Sequence, residues 1–377
     1  MHILIAPNAF KNSLDAQQVA EAIYAGLQQS SLGCTCTCFP VADGGDGTGK
    51  LLLQKLNGRI IAAQVHDPLF RKTEALFGLI DNDKTAVIEL ADASGLRLLQ
   101  SHEYDPLHAT TFGTGELIKS ALEKGVEKII LCIGGSATVD GGAGILQALG
   151  IRFLDADKNI LHNIPEDLIH LFSIDTSGLD KRIFNCEIII LCDVKNKLLG
   201  ENGAAKIFAP QKGAKENEVE KLEAALAKFA EITHQQTGKD ITAITHGGAS
   251  GGVAAGLSAF LNAQLVNGIE YFLTLTNFQQ ALQKADLVIT GEGSIDEQTL
   301  QGKGPFGVAQ IAKEKNIPVI GIAGKIPHIN DPQLQQYFTA LFTITNEPIE
   351  ISIALQQTKE NLIRTACAIG NILAINK

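Results

Sequence analysis

The chain has 377 residues, 45% of them hydrophobic and 19% charged, with a net charge of −10, a globular balance at a length that suggests about two to three domains. That acidity, with no Lys/Arg-rich block, excludes nucleic acid as a partner, because binding to DNA or RNA needs a basic face to displace counterions. No apolar run approaches the roughly 18 residues of a membrane span, and the start MHILIAPNAF lacks the basic segment and long apolar run of a secretory leader, so no membrane partner and a cytoplasmic location are expected.

In chain order, the first forty residues read strand, helix, strand: His2 to Ala6, then Asp15 to Leu27 with Val19, Ala20, Ile23 and Leu27 at helical spacing, then Cys34 to Val41. Cys34, Cys36 and Cys38 alternate with threonine and read as one face of that strand, not as CxxC-type metal ligands. Strands follow at Thr85–Leu90, Lys128–Ile133 and Glu187–Cys192, with helices at Gly115–Lys124 and Glu216–Thr233. The end of the chain returns to the opening rhythm: a strand at Asp286–Thr290, a helix at Pro305–Lys315, a strand at Ile317–Ile322 and a helix over Ile351–Ala374. Almost wholly apolar strands separated by helices indicate a parallel sheet covered on both sides. We therefore expect an α/β fold of two domains. Residues 1–65 and 285–377 would form a discontinuous Rossmann- or flavodoxin-like parallel-sheet domain, and 66–284 an inserted α/β domain, with the active site in the cleft.

Five segments share a design: PVADGGDGT (40–48), GGSATVDGGAG (134–144), CDVKN (192–196), HGGASGGVAAG (246–256) and TGEGSIDEQTLQGKGP (290–305). Three of them follow strands directly, where open α/β sheets bind ligands. Glycine lets the backbone approach a ligand, and successive N–H groups form an anion nest. Taken singly, each has a plainer reading as a turn, a helix cap or a solvated lysine. Taken together they point to a polyphosphate and metal site. The run from Gly44 to Lys50 fits GxxxxGK, but Leu51 stands where a P-loop needs Ser or Thr for Mg²⁺, and no GxGxxG opens the first helix.

The segments IAPNAFKNSL (5–14), PVADGGDGT, ASGLRLL (93–99), TTFGTGELI (110–118), IGGSATVDGGAGILQALG (133–150), CDVKNKLLGENGAAKIFAPQKGA (192–214) and DLVITGEGSIDEQTLQGKGPFGVA (286–309) run in order over the whole chain, and in them the sequence resembles the bacterial type I glycerate kinases. The resemblance implies transfer of the ATP γ-phosphoryl group to a hydroxyl of D-glycerate with Mg²⁺, and two α/β domains. The chain departs from the family pattern at Asn8 and Ala9, where an Asp-Ser pair is usual, at Asp46 for a frequent Glu, and at Val139 for a frequent Asn.

Residue chemistry and resemblance together give an expected site. Asp193, Lys195 and Lys11 are the catalytic set, with Asp193 as base or Mg²⁺ ligand and the lysines on the γ-phosphate or the glycerate carboxylate. Asp43, Asp46 and Asp193 are the metal set. Gly134, Gly135, Ser136 and Thr138 would cradle phosphate, and Asp140 would orient that loop or touch metal. Glu292, Asp296 and Lys303 complete the ligand-binding set, and Arg71 is an alternative carboxylate clamp. A kinase for another small hydroxy acid, a nucleotide-dependent oxidoreductase and a non-catalytic sensor are the competing readings. A homodimer is left open.

Overall fold

A computed structural model describes residues 1–327, 331–347 and 349–375. Its strands are β1 (His2–Ile5), β2 (Thr35–Cys38), β3 (Arg59–His66), β4 (Lys72–Ile80), β5 (Thr85–Glu89), β6 (Lys128–Cys132), β7 (Arg152–Leu154), β8 (Ser173–Asp175), β9 (Glu187–Cys192), β10 (Gln264–Asn267), β11 (Leu287–Ser294), β12 (Val319–Lys325) and β13 (Ala340–Thr343). The protein is a mixed α/β chain that divides into two compact units: Met1–Asp43 together with the chain from Ile269 onward, and Gly44–Gly268. The division thus falls at 43/44 and 268/269, not at the expected 65/66 and 284/285.

The first unit holds a five-stranded sheet in the order β13-β12-β11-β1-β2, parallel throughout. Counted within the unit this is 2-1-3-4-5, the flavodoxin-like order of doubly wound sheets, and it reverses direction between β1 and β11. Its core joins Ile3 and Ile5 to Val19, Ile23 and Leu27 of the helix Ala16–Gln29 and to Leu362, Ala366 and Ile369 of the helix Thr358–Ala374. Asp15 caps the first helix, its carboxylate accepting from the Gln18 N–H at 2.8 Å. The expected single helix over Ile351–Ala374 is two, Ile351–Gln356 and Thr358–Ala374, broken at Gln357.

The second unit holds a six-stranded mixed sheet, β10-β9-β6-β5-β4-β3. β5, β6, β9 and β10 run parallel, while β3 and β4 form an antiparallel hairpin that sequence reading did not find. The central strands are buried runs such as Ile129-Ile130-Leu131 and Ile188–Leu191. The amphipathic helix Glu216–Thr237 buries Val219, Leu222, Leu226, Phe229 and Ile232 against the same core. Among the described residues no helix is long and apolar enough to cross a membrane.

Candidate active site

In the first unit, charged side chains gather where the strand order reverses, outside the carboxyl ends of β1 and β11. Three backbone bonds bring the strand ends together: Asn8 N–H to Gly291 O (2.8 Å), Ala6 N–H to Ile289 O (2.7 Å) and Val41 N–H to Pro7 O (2.9 Å). Asn8 donates through Nδ2 to Asp43 Oδ2 at 2.8 Å, and the Gly304 N–H reaches the same oxygen at 3.3 Å. Asp43 therefore sits at the N-terminus of the helix Gly304–Glu314, where a carboxylate is favoured. Gly304 leaves room for this contact, since a Cβ would come within 2.8 Å of Asn8 Nδ2 and push that side chain aside.

Glu292, near the end of β11, is 8% exposed and accepts from the Thr299 hydroxyl at 3.0 Å. Burial pushes its carboxyl up to about 7; Lys303 and Lys11 oppose the shift, and Asp43 adds to it. Asp296 accepts from the Ser294 hydroxyl at 3.2 Å, and its N–H donates to Thr299 Oγ1 at 3.1 Å. Lys303 is the residue that opens the helix Gly304–Glu314. Asn8, Lys11, Asp43, Glu292, Asp296 and Lys303 are thus one neighbourhood, drawn from segments nearly the whole chain apart.

In the second unit, the glycine-rich loop leaves β6 beside the exit of β9, so Gly134 and Asp193 emerge at the same edge of the parallel strands. Gly134 is pressed against the loop before the helix Thr48–Lys55, with its N–H on Gly44 O at 3.2 Å. Gly135 has φ 73° and is exposed. Ser136, Thr138 and Asp140 are not at the surface: they are 6%, 0% and 0% exposed. Only Gly134 and Gly135 of the expected cradle reach solvent, and the polar side chains stand behind them.

Asp140 is the loop's organiser. Oδ2 accepts from the Thr111 N–H (2.8 Å), the Thr111 hydroxyl (2.7 Å) and the Gly144 N–H (3.2 Å), and Oδ1 accepts from the Gly142 N–H (3.0 Å). Burial raises its carboxyl, and these bonds pull it back. This arrangement gives Asp140 an internal role and leaves it no part in holding a metal. Asp140→Asn is expected to destabilise the fold by about 1–3 kcal/mol, because an amide NH₂ would face N–H donors. Chemical denaturation checks this, and an unchanged midpoint would refute it.

Beside Gly135 stands a charged group that sequence reading passed over. Arg97 lies within ASGLRLL and is half-exposed; it pairs with Asp46 at 3.1 Å and with Asp92, and its Nε donates to Ala91 O at 3.3 Å. Glu89, at the end of β5, accepts from the Gly47 and Lys50 N–H groups, each at 3.0 Å. Burial lifts Glu89 to about 7, and the carboxylates of Asp92 and Asp46 add to the shift. Asp46, Asp92 and Glu89 outnumber Arg97 here, an excess of oxygen donors that suits a hard divalent cation, whose usual shell needs one or two carboxylates plus water and phosphate oxygens. Among the described residues, no three His, Cys, Asp or Glu side chains form a metal-holding group by themselves.

The remaining expected residues are dispersed. Asp43 and Asp46, proposed for one metal, belong to different units, each with partners of its own. Asp193 is half-buried and Lys195 exposed in a loop held by His246 Nδ1 on Val194 O (2.6 Å) and the Gly248 N–H on Asn196 O (2.9 Å). In HGGASGGVAAG, Ser250, Gly251 and Gly252 have left-handed φ of 55°, 68° and 95° before regular helix continues to Leu261. Arg71 is engaged by Asp67 and Glu103, each at 2.6 Å, and so is not a waiting carboxylate clamp.

A buried carboxyl poised near neutrality, flanked by lysines at a switch point, and an exposed glycine at the head of a loop beside carboxylates suit the handling of small anions and phosphate. This chemistry is that of an α/β phosphotransferase. Comparison with known proteins makes the class specific. The model of the glycerate kinase family matches residues 3–374. The glycerate kinase of Bacillus subtilis (strain 168) is 43% identical over 377 residues, covering 100% of this chain and 99% of that protein. The glycerate 2-kinase of Escherichia coli (strain K12) is 42% identical over 375 residues, covering 100% and 98%. A crystal structure of a Salmonella typhimurium LT2 protein bearing the name glycerate kinase 2 superposes with a TM-score of 0.81 at 43% identity, covering 100% and 99%. The chain belongs to the glycerate kinase family.

Proposed function

We propose that this protein transfers the γ-phosphoryl group of ATP to the 2-hydroxyl of D-glycerate, as a member of the type I group of its family. The full-length family match carries this reading, and the name of the Escherichia coli relative, glycerate 2-kinase, supports the choice of hydroxyl. All seven cysteines are free, which agrees with a reducing, cytoplasmic location.

Phosphoryl transfer asks the protein for positioning, charge neutralisation and an oriented hydroxyl. In this reading the switch-point cluster of the first unit takes the acceptor. Lys11 and Lys303 are the cations for its carboxylate, and Glu292 accepts the hydroxyl proton. Asp43, tied to Asn8 and the Gly304 N–H, is a support for that cluster and not a metal ligand. In the second unit the Gly135 N–H and Arg97 meet phosphate oxygens, and Gly134, bonded to Gly44 O, holds the loop in place. Asp46 and Asp92 are the carboxylates that would hold Mg²⁺, with water and phosphate oxygens completing its shell, and the ion would supply screening of the phosphate charges. Lys195, exposed beside Asp193, neutralises phosphate charge from the rim.

ADP release measured with D-glycerate, lactate, tartronate and glycerol tests the acceptor. Turnover with D-glycerate above all others is expected, and no turnover with it would refute the assignment while leaving a kinase for another hydroxy acid. Asp46→Asn is expected to raise the Mg²⁺ concentration for half-maximal rate by about tenfold, on the order expected when a group that fixes a metal is lost. An unchanged Mg²⁺ dependence would remove Asp46 from the metal set.

A further inference from the structure

Lys212 lies in CDVKNKLLGENGAAKIFAPQKGA (192–214) but is not among the site residues expected from the sequence. It ends a short turn, Pro210–Lys212, after the helix Ala204–Phe208, and Gly213 follows with φ 101°. A Cβ on Gly213 would come within 2.6 Å of the Tyr104 carbonyl oxygen, so the turn is fixed in place. It sends the lysine inward: Lys212 is 3% exposed. Its Nζ donates to Ser136 Oγ at 2.7 Å and to Thr138 O at 2.6 Å, both on the glycine-rich loop. The charged group acting on it is Asp140 of the same loop. Tyr104 abuts the following Gly213, and Lys206 on the preceding helix is paired with Glu201. The Thr138 hydroxyl is buried and has no hydrogen-bond partner among the described residues.

A cross-link alone is a poor reason for a lysine at such a place. An ammonium loses its hydration there, and an apolar side chain of the same length would avoid that cost. The charge has a use if an anion sits on the other side of the loop.

We propose that Lys212 is the positioning residue of the glycine-rich loop: it fixes Ser136 and Thr138 from behind, keeps the exposed Gly135 N–H turned to phosphate, and backs that phosphate with its positive charge. This rests on the phosphate role assigned to the loop above. Burial pushes the Lys212 ammonium down to about 7, opposed by Asp140. A bound anion favours the charged form, so anion affinity is full below about pH 7 and declines as the lysine loses its proton above it.

Lys212→Met keeps the length and removes the charge. We expect the KM for ATP to rise by about tenfold or more, measured well below a melting temperature that falls because methionine leaves the Thr138 carbonyl and Asp140 without their buried partner. Competitive inhibition by sulfate against ATP supplies a second readout, since sulfate stays dianionic from about pH 6 to about pH 9 while Lys212 titrates. The wild-type inhibition constant should rise across that range, and the variant's should be flat. A wild-type KM in the variant, or loss of activity only at temperatures where the variant unfolds, would overturn the proposal. If the methionine variant does not fold, the wild-type sulfate profile decides, and a flat one overturns it. Gly135→Ala separates this inference from the reading it rests on. If neither variant changes the KM for ATP or the sulfate inhibition, the loop is not the phosphate site. If only Gly135→Ala changes them, Lys212 alone is excluded.

Discussion

Glu292→Gln is expected to lower kcat by about 10²–10⁴-fold, the usual worth of a general base, while leaving the fold intact. Glutamine keeps the shape and still accepts from the Thr299 hydroxyl, but it takes no proton. The pH dependence gives the effect its signature. Glu292 titrates near 7, so the wild-type kcat should rise with pH through about 7 and the residual rate of the variant should not. The sign for stability is opposite. The folded value lies above the ordinary 4.5, so the contribution of this group to stability is fully present below 4.5 and is lost as pH rises through about 7. The glutamine variant should therefore gain melting temperature over wild type above pH 7 and not below about pH 4. A kcat within a few-fold of wild type, or a variant that keeps the wild-type pH profile, would remove Glu292 from the chemistry.

Gly134→Ala is the second large effect. The new Cβ would lie 2.5 Å from Gly45 Cα and 2.6 Å from both the Asp46 N and the Gly45 C. All three are backbone atoms, so no side chain can swing away. The two loops must separate, at a cost of about 1–3 kcal/mol. That movement also displaces Asp46 from Arg97 and the Gly134 N–H from Gly44 O. A misplacement of about 1 Å at a phosphate site costs about a hundredfold, and kcat/KM for ATP should fall accordingly. Gly293→Ala is the contrasting substitution: its nearest neighbour would be the Lys11 N at 3.9 Å, and the melting temperature should not move. A Gly134→Ala protein with wild-type melting temperature and KM would contradict this packing.

The apolar strands were legible because a parallel strand buried on both faces has few ways to be anything else. The strand expected over Glu187–Cys192 has those limits, and those expected at Thr85–Leu90 and Lys128–Ile133 each run one residue long, because the apolar run outlasts the ladder. The hairpin β3–β4 was not found: Ala62, Ala63, Gln64 and Gly78 give it a weak alternation with an exposed face. Division of the chain at 43/44 was hidden for a related reason, since Asp43 and Asp46 share one glycine-rich stretch whose composition does not change at the break.

At the site, the sequence marked the loops but not the depth of their side chains. Ser136, Thr138 and Asp140 carry the residue types of a phosphate cradle, yet the fold turns them inward and presents Gly134 and Gly135. Lys212 in FAPQKGA has no periodic neighbours to show that it is buried, and lysine is almost always solvated. Arg97 stood inside a segment that carried the resemblance, but nothing in ASGLRLL places it among Asp46, Asp92 and Ala91.

The most direct test of the central claim is ³¹P NMR of the product formed from ATP and D-glycerate. Transfer to the 2-hydroxyl predicts a new phosphomonoester signal split into a doublet, because the carbon bearing the phosphate carries one hydrogen. A triplet would place the phosphate on the 3-hydroxyl and contradict the regiochemistry, and inorganic phosphate with no phosphomonoester would contradict the kinase itself.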